Sequence, residues 1–266
     1  MIKLVRNNVK DRLKRFLSDA KLDVDKNDTI LKNNNVQTPK TRKQFLVPVL
    51  TQEKLKKLSS VVGLHLAPNG VSWAKLSPEG NVLNKWDVLE FAQLPKRNLP
   101  IDILRYVKTV INEIPEGDLY IFELPESSAP LNQKSISLNY NNQQLIFSSM
   151  LIALLDARTA NSKTDIKHTN SIFYLKSKLS AKLFGILVGT EKVSSLSIIS
   201  SVFDNSKNSL PCTPVIVDKS FKKHYYDSSS VHKELLGHSL MIAMCFLDLC
   251  LYKNSESIAA ATKIKR

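Results

Sequence analysis

Glycine is scarce in this chain, seven residues in 266, and no Gly-x-Gly-x-x-Gly or Gly-x-x-x-x-Gly-Lys string occurs. The backbone-amide cradle of a P-loop or a Rossmann dinucleotide site is therefore missing, which excludes the nucleotide-cofactor enzymes built on those loops. Cysteine is scarcer still. Cys212, Cys245 and Cys250 are odd in number, late in the chain and without a Cys-x-x-Cys pair, so neither a disulfide framework nor a zinc knuckle is expected. The most apolar stretch, Leu235 to Tyr252, is broken by His238, Ser239 and Asp248, short of the roughly 20 clean apolar residues that span a bilayer. The expectation is a soluble protein of a reducing compartment, with no membrane insertion and no cofactor.

Acidic side chains are in deficit, 24 against 38 Lys and Arg, giving a net charge of +14 that favours polyanionic partners, chiefly nucleic acid. The excess is concentrated at the front: residues 1–60 hold fifteen basic and six acidic side chains. Met1 to Leu17 places Val5, Val9, Leu13 and Phe16 on one helical stripe among Lys3, Arg6, Lys10, Lys14 and Arg15, a pattern shared by organelle presequences and basic surface helices. Asp19 to Asn35 turns acidic and then Asn-rich. Residues 33–53 read as a linker within a basic arm spanning 1–53, with Pro39 holding Thr38 out of helix. Lys40, Arg42 and Lys43, then Lys54, Lys56 and Lys57 on a short helix Gln52 to Ser59, are the candidate phosphate contacts; a solvated charged face is the competing reading.

From Val61 the pattern changes to apolar runs with turn punctuation: Val61 to Ala67, Pro68-Asn69-Gly70, Val71 to Leu76, Pro78-Glu79-Gly80, Val82 to Phe91. Three strands joined by two tight turns predict an antiparallel meander. Ile103, Leu104, Val107, Val110, Ile111 and Ile114 share a face over the helix Ile101 to Ile114, and Asp118 to Leu124 reads as a strand crossing back onto the same sheet. A long helix from about Asn142 to Thr159, a strand Ser171 to Leu175, helices Ser180 to Leu187 and Val193 to Phe203, and a last helix Val231 to Tyr252 complete an α/β sandwich over residues 54–253. Residues 204–229 read as loop and 254–266 as a frayed tail.

This order is that of the RNase H and resolvase superfamily: an α/β fold with a mixed five-stranded sheet flanked by helices. Val61 to Trp86 adds a glycine at the strand entrance and a second strand with Ser-Trp-Ala, and DLYIFEL ends in Glu123, where the superfamily keeps an acid. Within it the chain resembles the mitochondrial transcription elongation factors, resolvase-like proteins of animal mitochondria that raise the processivity of the mitochondrial RNA polymerase. The likeness runs from about Lys54 to Tyr252. It is carried by EKLKKLSSVVGLHL, GVSWAKLSPEGNVLNKW, EIPEGDLYIFEL, SMLIALL, SAKLFGILVGTEKVSSLSIISSVF and HSLMIAMCFLDL. The resemblance implies a non-catalytic homodimer of the mitochondrial matrix and nucleoid, with the mitochondrial RNA polymerase, DNA and nascent RNA as partners. It also implies a tandem helix-hairpin-helix module ahead of the domain. The roughly 50 residues here hold at most a remnant, with Leu22 to Lys32 as its last helix, so the chain reads as a shortened form.

A working nuclease of this fold clamps two divalent ions with three or four carboxylates. By that resemblance the catalytic positions are His65 on the first strand, Glu123, and Gly237 with His238 on the last helix, so one acid of three remains. No catalytic residue and no metal are therefore expected, with His65, Glu123 and His238 as vestigial positions. The histidines are read as neutral imidazoles bonded to carbonyls or to Glu123; a lone zinc or manganese ion on the three is the sharper reading. The alternative function is a mitochondrial Holliday-junction resolvase or RNase H-type metal-dependent nuclease, completed by Asp87, Glu90, Asp156 or Asp248. His224 and His232, with Asp218 and Asp227, read as solvated loop residues, and Trp73 as a core ring before a base-stacking one.

Overall fold

The computed structural model describes residues 44–91, 99–124, 135–160, 171–189, 191–204 and 210–263. The chain divides into two compact units, Met1–Lys43 and Gln44–Arg266, and every described residue belongs to the second. The expected presequence helix, the helix Leu22 to Lys32, and Lys40, Arg42 and Lys43 lie outside the described residues.

Apolar alternation and turn chemistry produce the meander β2 (Val61–Ala67), β3 (Gly70–Ser77) and β4 (Val82–Glu90), paired antiparallel with Ala67 opposite Gly70 and Lys75 opposite Lys85. Gly70 opens β3 where a β-carbon would lie 2.8 Å from the Leu89 carbonyl, and Gly80 takes φ +72° in the second turn. The amphipathic helix α2 (Pro100–Glu113) returns the chain to β5 (Leu119–Glu123), which lies parallel beside β2. The long helix α3 (Ser135–Ala160) then leads to β6 (Ile172–Leu175), parallel to β5. The order β6-β5-β2-β3-β4, with β3 alone antiparallel among these five, is the expected RNase H-like arrangement.

The sheet has six strands rather than five. β1 (Leu46–Val47) pairs antiparallel with β6, and the Lys176 amide donates to the Phe45 carbonyl. It falls in the stretch read as linker, because two residues are too few for periodicity to register. The helix α1 (Gln52–Lys56) follows. Beyond β6 come α4 (Leu179–Leu183), a hairpin of β7 (Leu187–Val188) and β8 (Glu191–Lys192), and α5 (Leu196–Phe203). The stretch read as loop contains α6 (Lys219–Asp227), capped by the Asp218 side chain accepting from the Ser220 amide. The long apolar helix α7 (Ser230–Phe246) continues through a π-helical turn, Leu247–Tyr252. Within the stretch read as a frayed tail, α8 (Ser255–Thr262) buries Ser257 and Ala261, with Asn254 capping its first turn.

Alternation along the strands sorts the core into two layers. Val62, Leu64, Trp73, Tyr120 and Phe122 pack under α2 and α3, whose Ile103, Val107, Val110, Leu151 and Leu155 are buried. Trp73 is therefore a core ring. Val61, Ala74, Leu76, Trp86, Leu119 and Ile121 face α7 on the other side. Small residues let α7 lie close: a β-carbon on Gly63 would come within 2.5 Å of the Ser239 carbonyl. The segment Ser230–Tyr252 is long and apolar enough to cross a bilayer, contrary to the sequence expectation, but 78% of its apolar window is buried inside the domain, as a core helix requires.

Candidate functional site

Val61, Gly63 and His65 share the β2 face that α7 covers, and His65 there meets His238 of α7 with ring centroids 4.7 Å apart and planes tilted by 41°. Burial pushes the His65 imidazole well below its ordinary range, helped by His238 and Lys192. His238 is lowered too, first by burial and then by Lys192, against the opposing pull of Glu234 and Glu123. Both rings are thereby held neutral near pH 7.

Glu123 ends β5. Its Oε1 accepts from the Ser180 amide at 3.2 Å and hydroxyl at 3.0 Å, and its Oε2 meets Lys192 Nζ at 2.5 Å. The Glu123 side chain is 8% exposed and that of Lys192 28%. One turn before His238, Glu234 approaches the imidazole at 3.9 Å and accepts from the Ser195 amide at 2.9 Å and hydroxyl at 2.8 Å, and from the Ser194 hydroxyl. Burial works to raise Glu234, but these serine bonds and His238 outweigh it and leave the carboxyl below its ordinary range. Gly237 is needed here because a β-carbon would collide with the Ser195 hydroxyl.

His65, Glu123 and His238 are thus in one neighbourhood, but this donor set does not fit a magnesium pair. That arrangement needs several carboxylates free to bind metal, and Glu123 spends both oxygens on Ser180 and Lys192. Among the described residues no group of three or more His, Cys, Asp or Glu side chains is arranged to hold a metal ion. Nor do the other acids converge on Glu123. Asp87 and Glu90 pair with His224 at 3.5 Å and His232 at 3.1 Å, and Asp156 is exposed. Asp248 is buried against Thr213, whose hydroxyl donates at 2.6 Å. His224 and His232 are helical residues of α6 and α7, not loop residues. Burial raises the Cys212 and Cys250 thiols to about 12 and Cys245 well above its ordinary value, which disfavours the thiolate at all three.

Sequence reasoning missed Lys192, Glu234 and the three serines. The signal for Lys192 was present: Gly189 between Val188 and Glu191 suits a hairpin turn, and the flanking residues were read as helix. Of the candidate phosphate contacts, Lys56 and Lys57 are exposed, while the Lys54 ammonium lies 5.6 Å from the centre of the Phe173 ring and is half-buried, which lowers its pKa despite Asp118. A separate cleft of about 940 Å³ is lined by Trp73, Lys85, Asp87, Lys108, Arg158 and Phe221, among others, and by none of His65, Glu123 and His238.

No model of a known protein family matches the chain. The mitochondrial transcription elongation factor of Mus musculus is 28% identical over 219 residues, covering 80% of this chain and 57% of that protein. The factor of Rattus norvegicus is 27% identical over 222 residues, and that of Homo sapiens 22% over 230. The chain therefore spans less than two thirds of the length of these curated relatives. Among solved structures, the yeast mitochondrial Holliday junction resolvase Ydc2 superposes with a TM-score of 0.49 at 13% identity, over 79% of this chain and 85% of that one. RuvC of Thermus thermophilus, with Holliday junction substrate, superposes with 0.36 at 10% identity, over 70% and 90%.

Proposed function

We propose that this chain, a distant homologue of the mitochondrial transcription elongation factors, is itself a non-catalytic elongation factor of the mitochondrial matrix and nucleoid. It binds the mitochondrial RNA polymerase together with DNA and nascent RNA and raises processivity, acting as a homodimer. The observation that carries this reading is the similarity over four fifths of the chain to proteins named for transcription elongation. The geometry agrees in kind: the position where a nuclease would need free carboxylates holds a carboxylate closed by a lysine. The net charge of +14 supplies sequence-independent attraction for nucleic acid.

The test is run-off transcription by purified mitochondrial RNA polymerase on a long template, with and without this protein, with template integrity read on the same gel. Longer transcripts on intact template are expected. Absence of stimulation at saturating protein would overturn the elongation reading, and nicked template would transfer the argument to the metal-dependent nuclease. Light scattering of the purified protein at micromolar concentration gives the oligomeric state, with twice the chain mass expected.

A further inference from the structure

Basic side chains on the described surface mostly stand beside acids. On α6, Lys219 and Lys223 fall between Asp218 and Asp227 in sequence, and the Lys222 ammonium is spent on the Phe203 carbonyl at 2.6 Å. Around the cleft of about 940 Å³, Lys85, Lys108 and Arg158 share the lining with Asp87, Glu113 and Glu116, and the Arg158 guanidinium donates to the Ile111 and Ile114 carbonyls at 2.8 Å. α1 carries Glu53 in its first turn, and Ser59 and Ser60 just beyond it bond Asp118.

The turn from β6 into α4 differs. From Ser171 to Thr190 the chain has no Asp or Glu, and Lys176, Lys178 and Lys182 fall in one short stretch of it. The Leu179 amide donates to the Lys176 carbonyl at 3.1 Å and the Lys182 amide to the Lys178 carbonyl at 2.9 Å, so the three lysines lie within about two turns of chain. Lys176 and Lys182 are exposed and Lys178 is half-buried. The acid bonded to this element, Glu123, is shut into the domain: its side chain is 8% exposed, it accepts from Ser180, and Lys192 offsets its charge. α8 packs against α4 and brings Glu256 in its first turn and Lys263 just past its end, opposite charges that offset each other.

Backbone conformation singles out the middle lysine. Lys178 takes φ +60° and ψ +13°, the left-handed region where glycine sits without strain and a residue with a β-carbon does not. The turn alone is better served by glycine, so it does not account for a lysine; a use for the charge does.

We infer that Lys176, Lys178 and Lys182 form a contact for the phosphodiester backbone of nucleic acid, made without regard to base sequence. The inference rests on the nucleic-acid partner proposed above and gives that partner a place on the folded domain. Lysines act on phosphates as point charges, and each phosphate neutralised releases condensed counterions. An anionic lipid surface is the lesser fit. Such binding adds apolar insertion to charge, and the apolar residues of this turn, Leu175, Leu179, Leu183 and Phe184, are buried.

Anisotropy titrations of the full chain over a range of salt test the inference, with labelled duplex DNA and labelled single-stranded RNA of mixed sequence. K176A/K178G/K182A is expected to bind at least tenfold more weakly at low salt. Its slope of log affinity against log salt should be smaller by about 0.9 for each lysine on the duplex and about 0.7 on the single strand. A loss on one nucleic acid alone identifies it as the one held. K108A/K219A/K223A removes the same charge from places flanked by acids and should change binding far less; both triple variants are checked for folding by circular dichroism. Unchanged binding by the first variant would overturn the inference, and so would equal losses in the two, because net charge would then explain them. Lys178→Gly separates contact from architecture: it should weaken binding while keeping the urea midpoint at or above wild type, and a lower midpoint would contradict the role given to this lysine. Vesicles of equal phosphatidylglycerol and phosphatidylcholine supply the remaining arm. Vesicle capture lost in K176A/K178G/K182A with nucleic-acid binding intact would assign the turn to a membrane and sink the inference. Wild type that binds neither nucleic acid would remove the partner along with the site, whereas binding that survives in K176A/K178G/K182A removes the site alone.

Discussion

Glu123 and Asp248 are carboxylates shut into the same domain, 8% exposed at the side chain in one case and 1% overall in the other, yet they are satisfied by opposite means. Glu123 has two bonds from Ser180 and a lysine charge. Asp248 accepts from neutral donors, the Thr213 amide at 3.0 Å and its hydroxyl at 2.6 Å. Burial raises the Asp248 carboxyl above its ordinary range, and the bonds from Thr213 and Ser257 pull it back in part. Neutral donors can fix a buried carboxylate in place without repaying its lost hydration, whereas a cation repays more but brings a second charge that must be desolvated. The Asp248 end is accordingly architecture, tying Thr213 to the π-helical turn that ends α7. The Glu123 end keeps a charge pair of which only the lysine, 28% exposed, reaches water to a substantial degree.

The largest effect that separates the two is truncation. Asp248→Ala strands the Thr213 amide and hydroxyl and leaves a void, which should cost about 3 kcal/mol in urea unfolding. Glu123→Ala strands the buried Ser180 amide and hydroxyl but frees Lys192, over a quarter exposed, to turn to water, so it should cost less, about 2 kcal/mol. Equal losses for the two variants would break the comparison. A smaller loss, about 1 kcal/mol, is expected for Glu234→Gln, which weakens the charged acceptor holding the entry to α5.

Stability against pH sharpens the contrast, because the two ends titrate with opposite sign. Asp248 is raised in the folded state, so its contribution is complete below its ordinary value of 3.8 and is lost as pH rises through its folded value. His65 and His238 are lowered from 6.5, so their contribution is complete above 6.5 and is lost as pH falls through their folded values, when the unfolded chain takes protons first. Urea midpoints should therefore fall as pH is lowered from 7.5 through 6.5 to 5.5. His238→Gln should flatten that fall, and a midpoint that rises over the same interval would contradict the assignment.

How much of this was legible in the sequence follows from the range of each signal. The meander, the crossover to β5 and the order around it are written in local alternation and turn residues from Val61 to Glu90, and they stand as read. The helix α6 was hidden because its apolar residues are few, with Phe221 and Tyr225 one turn apart among Lys219, Lys222, Lys223 and His224; Tyr225 is buried by stacking on Trp86 at 5.3 Å. β1 was too short to signal. The resemblance sets His65 and His238 at corresponding positions, but it does not point to Lys192, since its partner lies 69 residues earlier and the hairpin carrying it falls in the short gap between two stretches that read as helix. The turn at Gly189 is legible, but the pairing of Lys192 with a carboxylate so far back along the chain leaves no period or spacing to read.

The smallest effect concerns the exposed charges, and it extends the same contrast to the lysines. Lys54 resembles the buried carboxylates: its ammonium lies against Phe173 and is partly desolvated, so Lys54→Ala should lower stability measurably through lost packing. Lys56 and Lys57 are exposed, and their replacement by Ala should leave the urea midpoint unchanged. If they contact phosphate, each replacement should reduce the slope of log affinity for duplex DNA against log salt by about 0.9. An unchanged slope in the double variant would remove α1 from the nucleic-acid surface. Within the first sixty residues it would leave the arm as the source of the attraction, because residues 1–43 hold twelve of their fifteen basic side chains. A slope that fell with Lys54→Ala alone would reverse the assignment, since it would mean that a charge committed to packing still competes for counterions.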